Sequence, residues 1–313
     1  MTFLYTDGSD HQKMYDDFFT GVIDGVGLST ERVQIARAAG TFDKYAYIAD
    51  TNATTYCGFF NLRRAAFANY NDANVGVSPK SDEEKVRTGA AMLNQNFRLA
   101  LATSMDRATY NEQSVGSELK LTNLVNSYTP GTFVSLEEET TVSINGTDKT
   151  YPAGTFYGQI VQDQLDADGI KLTVWNGVSS SGFDGWYNPE SAKAYIAAAA
   201  EELAAVGIEV NKENPIYLDF CVNTASTVST NRMQALKKSI EAATDGLVIV
   251  NLVEFATSDL YQGATYRFNT GNEANYDFND GSGWGPDYGD PSTSLGTMLP
   301  YGAGYMTKSL GIF

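Results

Sequence analysis

Near the start of the chain, Met14, Phe18 and Phe19 recur close to the helical period and predict a helix from about Asp10 to Thr20. A strand-like segment, Thr2–Thr6, precedes it, and Gly21 and Gly25 interrupt the pattern around Val22–Asp24. A second helix follows, with Ser29 or Thr30 as its N-cap, Glu31 in its first turn and Gly40 as its stop. Aromatic and β-branched residues then mark strands at Tyr45–Ile48 and Thr54–Asn61. A polar stretch with Gly and Pro, Asn69–Lys80, is a loop. Asp82–Ser104 has the pattern of one long helix ending at Met105-Asp106-Arg107. Thr129–Gly154 combines loop with a short strand, Thr140–Asn145, turning at Gly146, and Glu137–Glu139 is a solvated edge.

From Asn188 the pattern becomes more regular. Asn188-Pro189-Glu190 supplies an N-cap, a proline at the first helical position and an acid in the first turn. The Ala-rich helix Ser191–Val206 follows and stops at Gly207. Strand Ile216–Val222, helix Asn231–Thr244 and strand Leu247–Val253 then form a β–α–β unit, for which a right-handed crossover in a parallel or mixed sheet is expected. There is no internal repeat. The predicted fold class is α/β, or mixed α+β.

Composition narrows the function classes. With 313 residues and 42% hydrophobic positions, the chain can bury a sizeable core as one large or two modest domains. Asp+Glu outnumber Lys+Arg 38 to 21, a formal charge of -17, and no basic stripe offsets it. Such a surface repels phosphate backbones and anionic membranes, so no nucleic-acid partner is expected. The same charge also serves plain solubility. The single histidine, His11, removes most schemes built on a histidine base, and Cys57 and Cys221 show no zinc spacing. Each cysteine sits in a strand-like run, and whether the two are bonded stays open. No cofactor, metal or nucleotide motif is present. No apolar run reaches membrane-spanning length, and no leader or lipid-attachment cysteine is evident near Met1.

The densest chemistry lies in Ser282-Gly-Trp-Gly-Pro-Asp-Tyr-Gly-Asp-Pro291, which packs glycines, prolines, aromatics and two carboxylates into one segment. Irregular, Gly-rich backbone beside polar groups is typical of loops that let a ligand approach closely. A turn between Asp277–Asp280 and a helix starting near Ser292 would account for the prolines and Gly289, but not for Trp284 between two glycines.

This run resembles the Trp-x-x-Asp-Tyr-x-Asp/Glu-Pro signature of OppA-type oligopeptide-binding proteins, solute-binding family 5. Other segments agree with that family in order. Tyr15–Asp24 contains Phe-x-x-Gly-x-Ile-Asp, Tyr56–Asn61 is similar to a strand ending in Phe-Asn, Phe97–Arg107 matches an Arg-x-Ala…Asp-Arg pattern, and Tyr187–Lys193 matches Tyr-Asn-Pro-Glu-x-Ala-Lys. Family members are longer and fold as two lobes around a cleft. The resemblance places residues 1–56 at the end of the core lobe and 57–313 in most of the C-terminal lobe of a periplasmic-binding-protein-like fold, present as a fragment.

The resemblance implies that Asp287 pairs with a peptide's α-amino group and that the Gly283–Gly285 backbone bonds the ligand's main chain as an added strand. Trp284 and Tyr288 either wall a side-chain pocket or belong to the core. Some members carry an arginine shortly before the signature tryptophan, where this chain has Asn279-Asp280-Gly281-Ser282. The implied protein is a monomeric, non-enzymatic component of an ABC importer. It captures oligopeptides outside the cytoplasm, is lipid-anchored in its full-length form, and partners membrane permease subunits. A peptide sensor or adhesin on the same scaffold is the alternative. The fragment alone is expected to fold and to bind ligand weakly or not at all. Three other motifs have plainer explanations: Asp106-Arg107 a helix-end cap or intrahelical ion pair, Asp277–Gly281 a turn rather than a calcium loop, and Asn145-Gly146-Thr147 a tight turn rather than a glycosylation site.

Overall fold

The computed structural model describes residues 11–28, 30–47, 53–290, 292–299, 304 and 306–312. In chain order the elements are α1 His11–Phe19, α2 Thr30–Ala38, α3 Phe42–Tyr45, β1 Thr55–Phe60, α4 Asp82–Leu93, α5 Gln95–Ser104 and α6 Arg107–Val115. A hairpin follows, β2 Thr140–Ile144 and β3 Thr147–Tyr151, then α7 Tyr157–Ala167 and α8 Pro189–Ala205. The last part contains β4 Ile216–Asn223, α9 Thr227–Ala243, β5 Val248–Phe255, α10 Ser258–Thr265, β6 Phe278–Trp284 and α11 Ser292–Leu295.

Four strands form the main sheet in the order β1-β6-β4-β5. β4 and β5 run parallel from Ile216–Val248 to Asn223–Phe255, joined through α9 as the β–α–β pattern requires. Side chains alternate across β4, so Ile216, Leu218, Phe220 and Val222 enter one hydrophobic core with α4, α5, α8 and α9. Cys221 enters a second core with Phe255, Tyr261, Phe268 and Tyr276. β4 is therefore buried on both faces, which is why its sequence is a nearly continuous apolar run.

Local chemistry explains the element ends. Ser81 and Glu84 form a reciprocal capping box at α4, and the Asn188 side chain accepts from Ser191 N at α8, with Pro189 in the first turn. Gly207 takes φ 85° just past the end of α8, a conformation that glycine adopts without steric cost.

Several expectations are corrected. The long helix 82–104 is two, because Asn94 is extended (φ -76°, ψ 128°) and its side chain caps Phe97 N at the start of α5. Tyr45 closes the short helix α3, and Ala46 and Tyr47 lie in no strand. Asp106 opens α6, accepting from Thr109 N, while Arg107 reaches across to Asp184 at 2.6 Å instead of pairing within its helix. Asp277–Gly281 is not a turn: residues 278–284 form β6, in the middle of the sheet. The segments Thr2–Thr6 and Ile48, and the N-cap candidate Ser29, lie outside the described residues.

Candidate functional site

Two antiparallel strands carry the site. Thr55 lies opposite Trp284, Tyr56 opposite Gly283 and Cys57 opposite Ser282, with a bulge between Cys57 and Phe59. A Cβ on Gly283 would stand 2.4 Å from the Thr55 carbonyl oxygen and 2.9 Å from Tyr56 Cα. Backbone cannot yield there, so the close approach of β1 requires glycine. Thus Gly283 and Trp284 end a regular strand, and the irregular segment starts only at Gly285.

On its other side β6 touches a strand once. Phe278 registers with Phe220 of β4, and from Asn279 onward the described residues place β1 alone beside β6. That leaves one edge of residues 279–284 without a strand partner.

A buried ionic cluster fixes the foot of β6. Asp277 Oδ2 accepts from Lys80 Nζ at 2.5 Å and Arg64 Nη1 at 3.1 Å, and from the backbone N–H of Asp219 at 2.7 Å. Asp219 in turn accepts from Arg64 at 2.7 Å, Ser78 at 2.5 Å and Asn251 at 3.0 Å. Burial alone would raise the Asp219 carboxyl, but the adjacent Arg64 guanidinium and Lys80 ammonium outweigh it and hold the group below the usual carboxylate range. Burial, aided by Arg64, lowers the Lys80 ammonium despite the attraction of Asp277. Two cations and two anions therefore balance one another out of contact with water.

Further along β6, Asp280 is half-buried between two phenols. Tyr110 of α6 donates to Oδ2 and Tyr261 of α10 donates to Oδ1 at 2.6 Å. Burial, reinforced by that carboxylate, pushes both tyrosines well above their ordinary values, so they stay donors. The sequence marks Asp280 only as part of a turn and as lying where some family members carry an arginine. Its phenolic partners lie far from it in sequence, and no local pattern signals them.

The remaining candidates lie past the strand. Trp284 is half-buried, while Gly285 and Asp287 are exposed and Tyr288 is 72% exposed, so Tyr288 is not a core residue. Among the described residues Asp287 has no hydrogen-bond or ion-pair partner. Asp290 differs: it accepts from Ser292 N at 2.7 Å, and that bond holds its carboxyl below the ordinary value. Asp290 thus serves the turn into α11. A cavity of about 740 Å³ lies elsewhere, lined by Tyr15, Phe18, Phe19 and Phe42 and by Leu119, and includes none of these groups.

The described residues contain no His, Cys, Asp or Glu cluster able to hold a metal. Cys57 and Cys221 are both free thiols, and burial pushes Cys57 up to about 12. No described helix is long and apolar enough to cross a membrane.

No protein-family model matches the chain. It is similar to the oligopeptide-binding protein AliB of Streptococcus pneumoniae, 31% identical over 98% of this chain and 42% of that protein. It is equally similar to the oligopeptide-binding protein SarA of Streptococcus gordonii, 31% identical over 95% of this chain and 41% of the relative. The chain thus spans less than half the length of these relatives, which are named for binding and not for catalysis. Its fold matches the crystal structure of the substrate-binding domain of an oligopeptide ABC transporter from Bacillus anthracis, with TM-score 0.52 and 16% identity over 96% of this chain and 42% of that one. With its mixed α/β sheet, the chain is similar along nearly its whole length to these oligopeptide-binding proteins and matches less than half the length of each.

Proposed function

We propose that this chain carries the peptide-holding strand and the amine anchor of an oligopeptide-binding protein that serves an ABC importer from outside the cytoplasm. In this reading residues 1–56 belong to the end of one lobe and 57–313 to most of the other. An extended peptide lies along the open edge of β6, its main chain bonded to the backbone of Gly283–Gly285. The Asp287 carboxylate receives the peptide's α-ammonium group, and Trp284 and Tyr288 offer apolar faces to its side chains. Main-chain recognition is indifferent to sequence, which suits a scavenger of mixed peptides. Permease subunits take the ligand on, and no enzyme chemistry is involved.

What carries the reading is the pairing of two features among the described residues: a strand edge without a strand partner, and an exposed carboxylate with no partner just beyond it. A charge-assisted hydrogen bond to such a carboxylate contributes about 1.5–3 kcal/mol. Calorimetric titration of the full-length protein with unrelated peptides of equal length tests strand addition. Similar affinities across sequences are expected. Strict dependence on one side-chain pattern, with shuffled peptides failing to bind, would overturn main-chain recognition.

A further inference from the structure

Asp280 is the other carboxylate on β6, and its surroundings differ from those of every buried acid in the sheet. Asp219 and Asp277 are each matched by Arg64 and Lys80. Asp280 is half-buried, and among the described residues no lysine or arginine lies within ion-pair distance of it. The neighbouring Arg232 stacks its guanidinium on the Tyr110 ring at 4.8 Å, donates to Ser114 Oγ at 2.6 Å and forms no ion pair with Asp280. A partly desolvated carboxylate without a cation costs free energy that two neutral phenols only partly offset. Those phenols take one lone pair on each oxygen, and a carboxylate has about four such positions, so acceptor capacity is left over.

The position matters as much as the charge. Asp280 lies on the stretch of β6 that has no β4 partner, two residues past Phe278. Tyr110 comes from the helical layer on one face and Tyr261 from the second core on the other, so the carboxylate is held at the sheet's edge from both sides. From Asp280 to Trp284 an extended strand covers roughly 13 Å at about 3.3 Å per residue. A ligand lying along this edge with its amine at Asp287 therefore brings an interior side chain, about four to six residues in, to Asp280.

We infer that Asp280 is a specificity-determining residue that accepts the ammonium or guanidinium group of a lysine or arginine side chain in the bound peptide. This rests on the peptide-binding reading and adds to it a preference for basic residues at interior positions. Tyr110 and Tyr261 position the carboxylate and do not touch the ligand.

The test is competitive binding to the full-length protein of two octapeptide series, identical except for lysine or norleucine moved through positions four to six. Lysine is expected to bind about tenfold or more tightly than norleucine at one of these positions. D280N should erase that difference. Equal affinity of both series for the unaltered protein overturns the inference whatever the variant does, as does a lysine preference that survives in folded D280N. In either case peptide binding itself still stands. Failure of both series to bind overturns the reading of the strand edge, and the inference falls with it.

Discussion

Lys80 Nζ sits 2.5 Å from Asp277 Oδ2, and both side chains are almost wholly out of water. This bond joins the loop before α4 to the residue that precedes β6. It explains how a strand rich in Asp, Asn, Gly and Ser can occupy the middle of a sheet. The Asp277 carboxylate at its foot is held by Lys80 and Arg64, 197 and 213 residues away in sequence.

The first prediction concerns that bond. Lys80→Met removes one cation and leaves Asp277 with Arg64 alone. Breaking a buried ion pair from one side costs about 3–5 kcal/mol. Urea unfolding should show a lower midpoint by that amount, and an unchanged midpoint would mean that the cluster does not hold β6.

Acid should act on the same cluster. The Asp219 carboxyl is held below its ordinary value in the folded protein, so the folded state binds its proton less readily than the unfolded chain does. The stability it contributes is fully present above about pH 4, the ordinary aspartate value, and is lost as the pH falls through the lower folded value. Asp219→Asn should flatten the acid limb of a stability-against-pH curve. An acid limb of unchanged slope would assign the acid sensitivity to other groups.

Gly283 offers a steric test. Any Cβ there meets the Thr55 carbonyl at 2.4 Å, so Gly283→Ala must push β1 away from β6. Overpacking of this kind costs about 1–3 kcal/mol. Thermal unfolding should register the loss, and peptide affinity should fall with it. A fully stable variant would show that the two strands can separate locally at no cost.

The parts of the fold legible in the sequence were those whose signals are local. Asn188, Pro189 and Gly207 bracket α8 by capping chemistry, and the apolar run at Ile216 marks a strand buried on both faces. The start of β6 has the composition of a turn, Asp277-Phe-Asn-Asp-Gly, yet it forms a strand. Pairing with β1 makes it a strand, and Arg64 and Lys80 hold the Asp277 carboxylate just before it, tertiary contacts with no local trace. Asn94 divides a helix whose periodicity runs unbroken, because its side chain prefers to cap Phe97. In the site, the tryptophan segment stood out by its chemistry, while the role of Gly283 in admitting β1 and the two phenols on Asp280 needed the third dimension.

The central claim is that Asp287 holds the positive end of a peptide. The most direct measurement titrates one peptide, with its amine free or acetylated, into the full-length protein and into D287N. The account predicts that acetylation weakens binding to the unaltered protein about tenfold or more and that D287N binds both forms alike. Free and acetylated peptides binding the unaltered protein equally well would contradict it.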